Sequence, residues 1–180
     1  NSVSLSGTLV EGPVNLTSLQ GRFQTKEYSS DTHITAGEVR DAKNWMMGFT
    51  HLFRFGEEKH LLKLGYQVDR EDTHGRNFEY LGHRVLTGGQ YTLPWWDLRL
   101  KYDYDVHFKN YRHTNSTLPD RNPNTTERKD TEQTHAFKAE LPLPLGLTIT
   151  GEYQVSIARS NLPAFSFNRN VFSLITSWSY

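Results

Sequence analysis

From Trp96 to Phe108 the chain alternates without a break. Trp96, Leu98, Leu100, Tyr102, Tyr104, Val106 and Phe108 are apolar or aromatic, while Asp97, Arg99, Lys101, Asp103, Asp105, His107 and Lys109 are polar or charged. Successive side chains of a strand point to opposite faces, so this run predicts a strand with one wholly apolar face and one charged face. At ~3.3 Å per residue it spans roughly 40 Å, longer than most globular strands.

The same period returns along the chain. Leu147, Ile149, Gly151, Tyr153, Val155 and Ile157 alternate with Thr148, Thr150, Glu152, Gln154 and Ser156. Leu62, Leu64, Tyr66 and Val68 alternate with Lys63, Gly65, Gln67 and Asp69. Weaker runs pass through Leu19–Phe23, Phe49–Phe55, Val85–Leu93 and Phe137–Leu141, with Phe172–Tyr180 last and a short candidate at Val3–Leu9. Three-and-four spacing is nearly missing, so the reading is all-β. Mean hydropathy is −0.67, and no stretch approaches the roughly 20 apolar residues of a spanning helix. A spanning barrel strand needs only about ten residues with every second one apolar, so low hydropathy does not exclude it. Aromatics are 13% of the chain, and net charge is +0, which gives no field toward nucleic acid. Cysteine is absent, which removes disulfides and thiolate metal sites.

Connections alternate in length. Short ones are expected at Glu11–Val14, Gly56–Lys59, Pro94–Trp95 and Pro142–Gly146, and long polar ones at Ser29–Asn44, Arg70–Asn77, Arg112–Glu127 and Ala158–Arg169. Tight turns on one side and long loops on the other suit an up-and-down antiparallel transmembrane β-barrel. Residues 1–14 read as a periplasmic lead-in or an extra short strand, and residues 15–180 as the barrel. Eight strands from Asn15 to Tyr180 would close alone. A ninth would make the chain the C-terminal portion of a larger barrel or part of an assembly, because single-chain bacterial barrels have even counts.

The closing run Phe172, Leu174, Thr176, Trp178, Tyr180 resembles the C-terminal strand of bacterial outer-membrane proteins, which the barrel-assembly machinery reads. That resemblance implies a Gram-negative outer membrane, with contacts to outer-membrane lipid and lipopolysaccharide. Gly151-Glu152-Tyr153, Ser160-Asn161-Leu162-Pro163 and Phe167-Asn168-Arg169-Asn170 are similar to the final hairpin of barrels that follow tetratricopeptide repeats, as in surface-lipoprotein assembly modifiers and export proteins. The expected role is therefore a non-enzymatic, porin-like membrane anchor, structural component or passage of a larger cell-envelope system, with other envelope proteins as partners. Two alternatives remain: a soluble periplasmic barrel holding an apolar ligand, in which the apolar face turns inward, and a lipid-modifying outer-membrane hydrolase.

In the barrel reading Arg54, Lys63, Asp69, Arg84, Arg99, Lys101, Asp103, Asp105, Lys138, Glu140 and Glu152 face the lumen, where mixed signs favour ion pairs over free charge. Trp45, Trp95, Trp96, Trp178 and Tyr180 are the membrane-interface aromatics. No metal or other cofactor is expected. The eight histidines lack helical zinc-site spacing, although His33, His74 and His113 fall together in predicted loops. Ser160-Asn161 resembles part of an eight-stranded lipid A deacylase motif, but Ala158 stands where that motif has its histidine. Ser156 with His135 is another serine–histidine pair that could meet in space.

Overall fold

A computed structural model describes residues 1–28, 38–57, 59–116 and 127–179. The strands are β1 (Ser2–Val10), β2 (Asn15–Lys26), β3 (Ala42–Phe55), β4 (His60–Thr73), β5 (Tyr80–Thr92), β6 (Arg99–Thr114), β7 (Glu127–Pro142), β8 (Leu147–Ser160) and β9 (Phe167–Trp178). They form one nine-stranded antiparallel sheet in sequence order, each strand paired with the next. Among the described residues no helix is long and apolar enough to cross a membrane.

Backbone conformation explains the tight end of the sheet. Gly56 and Glu57 both have positive φ, as do Trp96 and Asp97, and Leu145 and Gly146. Two consecutive left-handed residues match the right-handed twist of the flanking strands, as in type I′ hairpins. Trp96 and Asp97 take this shape without glycine, at φ 61° and 52°. Their alternation with the following strand therefore overextends it: β6 starts at Arg99, and Trp96 belongs to the turn. β6 instead runs on to Thr114, with a register irregularity against β7 between Asn110 and Thr114.

Loop lengths differ from expectation in two places. Residues 74–79 and 161–166 are compact connections that contain the 3-10 turns Arg76–Phe78 and Pro163–Phe165. The strong asymmetry rests on 27–41 and 115–126. N-terminal residues form a true strand, β1, paired with β2 from Ser2↔Gln24 to Val10↔Leu16. The sheet is open: β1 lies along β2 and β9 pairs with β8 alone, so closure of eight strands from Asn15 to Tyr180 is not seen among the described residues.

A single sheet has no interior in the usual sense, and no large side chain is fully enclosed among the described residues. Buried positions include Asn44, Glu71, His107, Arg128 and Asp130, whereas Met47, Leu64, Trp95, Phe172 and Leu174 are exposed.

Candidate functional site

Register sorts the side chains into two faces, because directly opposed residues share a face. The row Arg54, Leu61, Gln90, Lys101, Lys138, Glu152 belongs to one side, and so does Leu52, Lys63, Gly88, Asp103, Ala136. All eleven charged residues expected on the lumen side lie on this face. Lys101 Nζ is 2.6 Å from Glu140, Lys138 is 3.4 Å from Glu152, and Arg84 Nε is 3.4 Å from Asp105. Arg99 approaches the same Glu140 at 4.0 Å, Lys63 pairs with Asp103, and Arg54 is also engaged.

Several of these contacts pass over a whole strand. Lys26 on β2 reaches Glu71 on β4 at 2.6 Å, and Lys63 on β4 reaches Asp103 on β6. His107 Nε2 on β6 lies 2.8 Å from Asp69 on β4. Small residues on the strand between make room. Gly88 sits directly between Lys63 and Asp103, and a Cβ there would press on the Asp103 carboxylate. Gly82 is paired with Asp69 and Lys109, and a Cβ there would press on both Asp69 and His107. These contacts link alternate strands across the charged face. A hollow of about 380 Å³ lies there, walled by side chains of β2 to β6, including Arg22, Asp69, Tyr80 and Arg84.

Reading single residues for charge missed much of this network. Lys26, Glu71 and Asn44 form one cluster, with Asn44 Nδ2 donating to Glu71 at 2.7 Å. Tyr80 Oη donates to Asp69 at 2.9 Å, and Lys109 bonds Glu132 at 2.6 Å. Arg128 donates from Nε to Asp130 at 3.0 Å, between the rings of Tyr111 and Phe165. The parity that flags Lys138 and Glu140 continues through Glu132, Asp130 and Arg128, so a signal was present.

The opposite face is apolar and aromatic. Phe23 and Trp45, Tyr102 and Phe137, and Tyr153 and Phe172 pack ring to ring across neighbouring strands, with centroids 4.4, 4.8 and 4.4 Å apart. Its histidines are partnered by hydroxyls of the next strand. His51 Nδ1 lies 2.7 Å from Thr17 Oγ1, His83 Nδ1 2.6 Å from Tyr66 Oη, and His135 Nδ1 2.9 Å from Tyr102 Oη. Trp45 stands near the long-loop end of this face, Trp178 near the tight-turn end, and Trp95 and Trp96 in the turn itself. Tyr180 lies outside the described residues.

At the loop end Glu79 joins the strands. It accepts from Arg112 at 2.8 Å and from His113 at 3.0 Å, with Arg70 at 3.9 Å. Burial alone would raise this carboxyl, but the hydrogen bonds from Arg112 and His113, and their charges, hold it below the ordinary glutamate range.

One chemical expectation is corrected. Ser156 pairs with Thr134 and His135 with Val155, so Ser156 and His135 point to opposite faces and cannot form a nucleophile–base pair. Ser160 Oγ accepts from the backbone N–H of Leu162 at 3.1 Å. The three-histidine loop cluster is only partly visible: His33 lies outside the described residues, and His113 is committed to Glu79. Among the described residues no group of three His, Cys, Asp or Glu could hold a metal ion.

Fold and faces together define the class: an all-β protein built as one up-and-down antiparallel sheet, ion-paired on one side and apolar on the other. No protein-family model, curated protein or solved structure matches the sequence.

Proposed function

We propose that this chain is part of a bacterial outer-membrane β-barrel, acting as anchor, structural component or passage of a larger cell-envelope export or assembly system. One observation carries the reading. Below the loop end the apolar face holds no Asp, Glu, Lys or Arg on any strand, while the opposite face holds the ion pairs. The outward run from Trp45 to Phe55 measures about 33 Å along β3 at ~3.3 Å per residue. Those from Phe108 to Leu98 and from Ile157 to Leu147 are equally long. At the strand tilt of roughly 35–45° usual in membrane barrels, that height is about 25 Å, the thickness of their apolar band.

Strand direction supports incorporation into a larger wall. β1 and β9 are both odd-numbered in an up-and-down sheet and so run the same way. Antiparallel closure between them needs an odd number of further strands, which gives an even total. The outward Phe172, Leu174, Thr176 and Trp178 of β9 are the residues offered to the assembly machinery. A soluble ligand-binding barrel would enclose its apolar face, whereas Met47, Leu64, Phe137, Phe172 and Leu174 of that face are exposed here. Purification with and without detergent tests the reading. Dependence on detergent or lipid is expected, and a chain that stays monodisperse in plain buffer rules it out.

A further inference from the structure

The apolar face is not symmetric from end to end. Every charged strand residue on it lies within three residues of the loop end: Lys43 on β3, Arg70 and Asp72 on β4, Arg112 on β6, Glu127 and Lys129 on β7, and Arg159 on β8. Arg70, Leu81, Asn110 and Lys129 form one register row that also contains Trp45. Arg159 sits a row lower, opposite Thr131, following the strand ends as they descend toward β9. Cations therefore border the upper edge of the aromatic band on five strands. The tight-turn end differs: Phe55, Tyr91, Leu141, Leu147 and Trp178 close the apolar face, and its turns carry Glu11, Glu57 and Asp97 against Lys59.

Part of this rim is internally neutralised. Arg70 binds Asp72 at 2.6 Å and Arg112 binds Glu79 at 2.8 Å. Glu127 stands at the outermost residue of β7, beyond Lys129. Lys43 and Lys129 have no ion-pair partner among the described residues, and Arg159 donates only to the neutral Asn168, at 3.2 Å. All three side chains are exposed. Lys43 opposes Asp72 in register without an ion pair, and cations left without an ion pair among the described residues, directly above an apolar band, complement an amphiphile whose phosphate lies just above its acyl chains.

We infer that the loop-end rim formed by Lys43, Lys129 and Arg159 binds the phosphate groups of anionic lipid, with the acyl chains against the aromatic face below. The inference rests on the membrane reading and adds both an orientation and a headgroup preference. The loop end faces the leaflet rich in lipid phosphate, and the tight-turn end faces the other.

The test is made on the full chain reconstituted in phosphatidylcholine nanodiscs, titrated with bis-phosphorylated lipid A and, separately, with its dephosphorylated form. The phosphorylated lipid is expected to bind more tightly, and the margin to shrink as salt rises about tenfold, from ~0.05 to ~0.5 M. Replacing the rim with K43Q, K129Q and R159Q together is expected to cost on the order of 100-fold in that preference, at about tenfold per 1.4 kcal/mol and ~1 kcal/mol per cation. Lysine-to-arginine replacement at Lys43 and Lys129 should preserve it, and so should K59Q at the far end. Equal binding of the two lipids by the unaltered chain overturns the inference and leaves the membrane reading in place. Displacement of the lipid by equimolar inorganic phosphate overturns the lipid assignment. Failure of the chain to enter nanodiscs at all overturns the membrane reading, and the inference with it.

Discussion

Depth is the variable that separates a lipid-facing strand from a water-facing one, and Leu64 and Asn110 sample its two extremes. Leu64 lies midway along the outward run Leu62–Val68 of β4 and is 46% exposed. Arg70, six residues further on the same strand, shares a register row with Asn110 at the loop end. That separation is about 20 Å along the strand at ~3.3 Å per residue, and about 15 Å in depth at a tilt near 40°. On the proposed membrane reading, Leu64 is near the bilayer midplane and Asn110 near the interface. Arginine at the midplane of a membrane barrel costs about 2–4 kcal/mol, falling to about 0–1 kcal/mol at the interface. Leu64→Arg is therefore expected to destabilise the folded chain in lipid vesicles by about 2–4 kcal/mol, and Asn110→Arg by less than about 1 kcal/mol. Reversible denaturant titration followed by tryptophan fluorescence measures both. On a water-exposed face each change would stay within about 0.5 kcal/mol. Small and equal effects at the two positions would refute the argument, whatever the activity of the protein.

Other expectations concern the charged side and the loop end. Arg128 and Asp130 have side chains only 10% and 3% exposed, so Asp130→Ala should strand a buried guanidinium and cost about 3–5 kcal/mol. The double change Arg128→Met with Asp130→Leu should cost much less, as the same titration would reveal. Gly82→Ala pushes a methyl group between Asp69 and His107 and should lower stability by about 1–3 kcal/mol, read as a shift in denaturation midpoint. Because Glu79 holds its proton less tightly in the folded chain, its contribution is complete above the ordinary glutamate value of about 4.3. It is lost as pH falls below that value, so amide exchange around Arg112 and His113 should accelerate there. Glu79→Gln should remove this pH dependence.

Period-two alternation alone was enough to define the strands and their faces. The parity of Leu62, Leu64 and Tyr66 against Lys63, Gly65 and Gln67 follows from pleat geometry, and no tertiary contact is needed to read it. The same logic put all eleven expected inner charges on one face. It overreached at Trp96, because a hairpin of two left-handed residues preserves the look of alternation while ending the strand. Three matters belonged to tertiary structure. Whether β1 or β9 occupies the edge of β2 depends on which backbone groups find partners, and both strands offer the same unpaired N–H and C=O groups. Which charges meet depends on strand order and register: Lys63 finds Asp103 and Asp69 finds His107 across β5, where Gly88 and Gly82 leave room. Ser156 and His135 look close in sequence logic, yet they stand in adjacent register rows, opposite Thr134 and Val155, and adjacent rows point to opposite faces. A strand's pattern is local and survives in the sequence. Partners two strands away are set by the pairing of all the strands between, which no single strand encodes.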